Sequence, residues 1–262
     1  MPPVSHSMPD VRGFVLTIDA TDGRRRRSAA AQMAQFPFCC SFVQGVAAHE
    51  GHNLREYSPS RNRLLQKRPL SPGEIGCYLG HRRVWSAFLD TDADYALVFE
   101  DDFEIIDAEA LNTAIQDCVG NPDQWDIVKF FDFSVRKIAF KKTLGATCLV
   151  AFTFPSSGLV GYLISRRAAT QMLRRRRIYR SVDEDISYMW EFGLNVWSTS
   201  PNLVREISSQ LGGSHLAAGR LALKGRRRVS RSLQGMVLQG WKQMRLHMHL
   251  RRMARNSGQS LG

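Results

Sequence analysis

The stretch Tyr95-Ala96-Leu97-Val98-Phe99-Glu100-Asp101-Asp102 constrains this chain more than any other. Four apolar residues and an alanine in unbroken succession read as a fully buried strand, the kind found inside sheets covered by helices on both faces. Three carboxylates follow at once, with no basic neighbour to neutralise them. In open α/β sheets ligands collect at the carboxyl ends of strands, so acids clustered there can hold a divalent cation against a phosphate. Acids also end strands as solvated turns, and spacing alone leaves both readings open.

A chain of 262 residues with 44% hydrophobic and 23% charged residues can bury a sizeable core, which excludes a disordered or fibrous protein. One α/β domain followed by a basic tail fits best. The formal charge of +12 is distributed unevenly: 11 of the 36 Lys and Arg follow Glu206, and no Asp or Glu does. Residues 1–206 are thus nearly neutral, and the excess positive charge belongs to the C-terminal part. Cys39, Cys40, Cys77, Cys118 and Cys148 show neither Cys-x-x-Cys pairing nor zinc-type spacing, so they read as reduced thiols of a cytoplasmic protein. Met1 to Gly13 lacks the apolar core of a signal peptide, and the apolar window Leu149 to Ile164 is broken by Pro155 to Gly158. Any membrane association is therefore expected to be peripheral.

Gly13 to Ile18 reads as a first buried strand, with Asp19 to Gly23 as a turn. Arg24-Arg25-Arg26-Arg27 then opens a helix running to about Gln35. Four arginines oppose the dipole at a helix start, so they read either as diphosphate contacts or as a solvated basic face. Residues 36–70 read as a strand near Cys40 to Val43 and a long loop. Ser71-Pro72-Gly73-Glu74 combines an N-cap, a first-turn proline and a capping-box glutamate, which predicts a helix from Pro72. Its apolar stripe of Ile75, Tyr78, Leu79, Trp85 and Leu89 places His81 at the stripe's edge.

After the acidic cluster, Phe103 to Ile106 reads as a short edge piece, Ala108 to Val119 as a helix and Trp125 to Phe131 as a strand. Ala146 to Phe154 and Leu159 to Ile164 read as two more strands. Ser165 caps a helix expected to run into Arg174 to Arg177. Ser181-Val182-Asp183-Glu184-Asp185 opens another, expected to reach Phe192, with a strand from Leu194 to Trp197 behind it. Acids at a helix start are favoured by the dipole alone; a carboxylate held there as an anion is also suited to take a proton from a hydroxyl.

From Arg220 the character changes. Val229, Leu233, Met236, Val237, Trp241, Met244 and Met248 share one helical face, with Arg231, Lys242 and Arg245 opposite. Two readings stand: a basic amphipathic helix lying on anionic lipid, or a helix docked on the core or on a partner.

The middle of the chain resembles glycosyltransferase family 25, the lipooligosaccharide galactosyltransferases. The resemblance rests on Gly73-Glu74-Ile75-Gly76-Cys77, on His81 and Trp85, and on the strand ending in Glu100-Asp101-Asp102. Val15-Leu16-Thr17-Ile18-Asp19 with Arg24, Trp125-Asp126, Tyr162-Leu163-Ile164-Ser165 with Ala168, Val182-Asp183 and Pro201-Asn202-Leu203-Val204 follow in the family's order. Gly80 departs from the family's usual Ser, and Thr17 from its Asn. The resemblance covers roughly residues 13–215, which sets residues 1–12 as an extension and 216–262 as the basic tail.

It implies a GT-A-like single nucleotide-binding domain with a central mixed sheet, a sugar-nucleotide donor, a divalent metal and inversion at the anomeric carbon. Carried onto this sequence, Glu100 and Asp102 bind Mn²⁺ or Mg²⁺, with His215 as a late third ligand. Thr17, Arg24, Arg25, Glu74, His81 and Asp101 line the donor site for a UDP-sugar, foremost UDP-galactose. Asp183 is the base, with Asp185 as its substitute. The acceptor implied is a lipopolysaccharide core or another glycan, at the inner face of the cytoplasmic membrane. Two rivals are weighed: an inactive scaffold of the same family, and a basic nucleic-acid-binding protein, for which no recognition motif is present.

Overall fold

A computed structural model describes residues 10–47, 55–66, 68–134, 136–213 and 229–257. Strand β1 (Val11–Thr17) leads into helix α1 (Arg24–Met33), then β2 (Cys40–Gln44). Both strands are parallel to each other, and β1 is also parallel to β3 (Tyr95–Glu100), which is buried along all but its last residue. Between them α3 (Pro72–Leu89) starts as predicted: the Ser71 hydroxyl accepts from the Glu74 amide, and the Glu74 carboxylate accepts from the Ser71 amide. Capping groups satisfy amides that the first helical turn leaves without partners.

The main sheet is completed by β5 (Ile127–Lys129), β6 (Ile138–Leu144), β7 (Thr147–Phe152), β8 (Gly161–Ser165) and β9 (Val196–Thr199). Its eight strands run in the order β2-β1-β3-β8-β5-β9-β7-β6, and β8 lies antiparallel between β3 and β5. This is the mixed α/β sheet expected. A separate antiparallel pair joins β4 (Phe103–Ile105) to β10 (Val204–Glu206). Helices α4 (Ala108–Val119) and α5 (Arg166–Leu173) complete the layers, and Trp85, Tyr78, Tyr162 and Trp197 are fully buried at the centre.

Several elements depart from the reading of the sequence. Helix α2 (Pro59–Leu65) occupies part of the expected loop, held by the Asn62 side-chain amide donating to the Tyr179 carbonyl. The strand around Trp125 to Phe131 is only three residues of ladder; beyond it the Phe130 amide still donates to the Gly161 carbonyl, while the Phe130 carbonyl accepts from the Leu203 and Val204 amides. Helix α5 stops before the arginine run, and the segment after Ser181 divides into α6 (Val182–Ser187) and a single 3₁₀ turn at Met189–Glu191. Both shorten because tertiary partners take over: Arg175 and Arg180 turn inward to buried acids.

The long C-terminal helix, α7 (Val229–Asn256), packs on the core with Leu246, Leu250, Met253 and Ala254. Lys242 lies on that docked face, 8% exposed, its ammonium 4.4 Å from the Tyr188 ring centre. Lys242, read from sequence as part of this helix's polar face, thus lies on the side that meets the protein, while Arg245 of the same set stays exposed. Among the described residues no helix is long and apolar enough to cross a membrane.

Candidate active site

Because β1 and β3 are parallel neighbours in register Leu16 to Glu100, their carboxyl ends emerge together. The chain leaves β3 through Asp101 and Asp102, and α1 brings Arg25 across them. Arg25 Nη1 donates to Asp101 Oδ1 at 2.7 Å and to Asp102 Oδ2 at 3.3 Å, and its Nη2 donates to the Gly213 carbonyl at 2.6 Å. The Thr17 hydroxyl donates to the other Asp101 oxygen at 2.5 Å. Burial works against the Arg25 charge, and the two carboxylates outweigh it, so its pKa is raised. Arg25 and Thr17 therefore hold the acids in place and do not present themselves to a ligand. Arg24 is exposed and does not border the cleft described next.

One atom is left over. Asp102 Oδ1 is buried without a hydrogen-bond partner. Burial, then the nearby Glu100 charge, push the Asp102 carboxyl up to about 7 despite Arg25. Asp102 and Glu100 border an open cleft of about 860 Å³, counting the space open to solvent. Glu206 borders it as well, and no pattern in the sequence singled it out. The pairing of β10 with β4 sets Glu206 opposite Phe103, and the Ile207 amide donates to the Asp102 carbonyl at 2.8 Å. Three residues of strand are too short for periodicity to reveal; the only signal was the Pro201-to-Val204 run just before it. His215, the expected third ligand, lies outside the described residues.

His81 is wholly buried between two partners. Its Nδ1 is 2.9 Å from the Tyr162 hydroxyl, and its Nε2 is 3.2 Å from Glu100 Oε1. Trp85 Nε1 can only donate, and it donates to the same hydroxyl at 2.9 Å. The Tyr162 proton is then directed to His81 Nδ1, which leaves Nε2–H to donate to Glu100. Cys77, His81 and Glu100 do offer ligand atoms within 4.8 Å of one another. The hydrogen-bond network makes His81 a donor that orients Glu100, and not a ligand with a free lone pair. Glu74 borders the cleft, but both its oxygens are taken by Arg68, at 2.6 and 2.8 Å, and by its capping role.

Across the cleft, α6 presents Asp183. Its Oδ2 accepts from the Gly158 amide at 3.2 Å, where φ of +109° suits glycine, and its Oδ1 accepts from the Glu184 amide at 2.9 Å. Asp185, read as its substitute, points the other way. It is completely buried, bonded to the Tyr78 hydroxyl at 2.7 Å and to Arg180 at 3.1 Å, with Arg175 Nε at 2.8 Å. Two residues, little more than half a helix turn, separate a cleft acid from a core acid. Gly80 has a packing reason: a Cβ there would sit 2.8 Å from Leu16 Cδ1, so glycine lets α3 lie close on β1.

A buried acid cluster at the carboxyl edge of a mixed α/β sheet, with a further acid across an open cleft, stands where α/β folds of this class collect their ligands. Residues 13–186 match glycosyltransferase family 25 (LPS biosynthesis protein), and the chain belongs to that family. A glycosyltransferase 25 family member of Aedes aegypti is 31% identical over 130 residues, 47% of this chain and 21% of that protein. Procollagen galactosyltransferase 1 of Danio rerio is 28% identical over 127 residues, again 47% of this chain and 21% of that protein. The chain thus spans about a fifth of the length of these relatives. Among solved structures, a 4-diphosphocytidyl-2C-methyl-D-erythritol synthase from Anaerococcus prevotii overlays with a TM-score of 0.38 at 8% identity, covering 77% of this chain and 92% of that one. At that distance the overlay says nothing of function.

Proposed function

We propose that the cleft transfers a hexose from a UDP-sugar, foremost UDP-galactose, to a glycan acceptor, with inversion and with a divalent cation bound. The observation that carries this is the buried, unpartnered Asp102 Oδ1 beside Glu100 and Glu206, facing Asp183 across the cleft. The residues fit a cation: four acids gather here around one arginine, and burial first, then the Glu100 charge, push the Asp102 carboxyl up to about 7. Asp102, Glu100 and Glu206 would hold Mn²⁺ or Mg²⁺, hard cations that favour carboxylate oxygens. When bound, the ion offsets the negative charge that builds on the departing diphosphate.

The chain's own residues do the rest. Arg25 and Thr17 fix Asp101 and Asp102, while His81 orients Glu100. Asp183, steadied by two backbone amides, accepts the proton of the acceptor hydroxyl. The acceptor oxygen forms its bond to the anomeric carbon as the bond to the diphosphate breaks, and UDP leaves with that electron pair. The relatives' names support galactose as donor sugar, and the family's description supports a lipopolysaccharide or similar acceptor, which the enzyme would meet at the cytoplasmic side of a membrane.

The test is hydrolysis of a panel of UDP-sugars with Mn²⁺, comparing the natural chain with Asp102→Asn. Turnover of one donor, lost in the variant, supports the reading. A second reading, an inactive scaffold, draws on Arg25, which already pairs with Asp101 and Asp102. Absence of turnover together with absence of any donor- or Mn²⁺-induced thermal shift would favour it.

A further inference from the structure

Helix α7 has two apolar faces, and the core uses only one. Leu246, Leu250 and Met253 are about 2% exposed or less on the docked side. Met236, Val237, Trp241, Met244 and Met248 are 69%, 74%, 42%, 55% and 57% exposed. Met236 falls at the edge of the docked face, on the wheel position of Ala254, whereas Val237, Trp241, Met244 and Met248 lie roughly opposite it at about 100° per residue. These four form one stripe directed away from the protein. Trp241 is the least exposed, since its ring meets the edge of Trp190 at 6.4 Å, and the methionines continue the stripe outward.

The charge around the stripe is of one sign. Arg245, Arg251, Arg252 and Arg255 are exposed along the same helix, and no acid follows Glu206 in the sequence. We infer that the outward face of α7 docks on a lipid bilayer carrying anionic headgroups. The stripe would enter the boundary between headgroups and acyl chains while the arginines meet lipid phosphates, as interfacial helices do. A second copy of the chain fits worse, because two such faces would set arginines against arginines with no acid between them. A nucleic acid would use the charge but would leave the four apolar side chains of the stripe in water.

Docking in this way is a property of α7 alone and stands whatever the donor proves to be. It has a consequence for the cleft. Gly235 and Leu238 of α7 border one pocket together with Arg68 and Glu184, and Glu184 adjoins Asp183. A bilayer under the outer face would therefore hold the Asp183 side of the cleft at a short distance from lipid-borne substrates.

The experiment is co-sedimentation of the full chain with vesicles of equimolar phosphatidylglycerol and phosphatidylcholine, and with phosphatidylcholine alone. The natural chain should sediment with the anionic vesicles, weakly with the neutral ones, and less as salt rises. Met244→Asp with Met248→Asp should weaken binding at least tenfold. Met244→Gln with Met248→Gln, which adds no charge and touches no core contact, should weaken it several-fold with an unchanged thermal midpoint. The inference is overturned if the natural chain stays in solution with anionic vesicles, or if the Gln pair sediments like the natural chain. It is equally overturned if the lipid-free chain is a dimer that either pair of substitutions makes monomeric.

Discussion

Two arginine–carboxylate clusters lie in this molecule within the same layer of structure, and they are built to opposite ends. Around α6, Arg175 and Arg180 face Asp185 and Glu191, two cations for two acids. At the carboxyl end of β3, Arg25 alone faces Asp101 and Asp102, with Glu100 and Glu206 close by. The balanced cluster holds the Arg180 and Arg175 charges firmly protonated, with the acids and hydrogen bonds outweighing burial. The unbalanced one leaves a carboxyl near neutrality and a buried oxygen with nothing to bind. Buried charge that is matched serves the fold; buried charge left in excess costs stability unless something neutralises it.

That contrast can be broken by substitution. Arg180→Met should remove the partner of Asp185 and Glu191 and cost about 3–5 kcal/mol of stability, the usual loss when one member of a buried ion pair goes. A denaturant melt that moves by less than about 1 kcal/mol would show that the cluster is not the structural one. Asp102→Asn should do the reverse: near pH 7 the metal-free variant is at least as stable as the natural chain, while donor turnover falls about 10²–10³-fold. Differential scanning fluorimetry with Mn²⁺ should show a rise in midpoint for the natural chain and none for the variant.

Asp183→Asn separates the two sides of the cleft. Transfer to an acceptor should fall about 10²–10⁴-fold, as for loss of a general base, while the Mn²⁺-dependent thermal shift persists. A variant that loses the shift as well would move Asp183 into the cation site. Smaller still is Tyr162→Phe, which deletes the hydroxyl between Trp85 and His81. It leaves an indole N–H unpaired in the core and should cost about 1–3 kcal/mol of stability, with the donor's KM rising as Glu100 loses its fixed orientation.

pH sharpens the comparison further. In chelator-treated protein the folded Asp102 carboxyl titrates near 7, against an ordinary value of 3.8. Between those values the folded state holds the proton and the unfolded state does not, so stability should fall as pH rises from about 4 to about 7 and level off above. Asp102→Asn should flatten that slope. The Arg175–Arg180 cluster adds nothing to it on the arginine side, because guanidinium groups stay charged throughout.

Much of the site was legible along the chain. The buried strand ending in Glu100-Asp101-Asp102, the capping box at Ser71 and the acid at the start of α6 each follow a local rule that needs no knowledge of the rest. Glu206 was not legible, because a three-residue strand becomes significant only when β4 lies beside it. Nor could spacing tell Asp183 from Asp185, two residues apart on one short helix, since only the packing decides which of them meets Gly158 and which meets Arg180. The arginines of α1 misled for the same reason: Arg25 turns inward to the acids while Arg24 stays in solvent.

The sequence by itself determined where α1, α3, β3 and α4 begin, that acids crowd one strand end, and that positive charge gathers after Glu206. Those are consequences of hydrophobic period, capping chemistry and composition, which act between near neighbours. The tertiary structure alone decided which acids share a cleft, which are neutralised, and which face of α7 the core covers. Burial and pairing depend on groups distant in sequence, such as Arg25 with Asp101 and Lys242 with Tyr188, and no local pattern encodes such meetings.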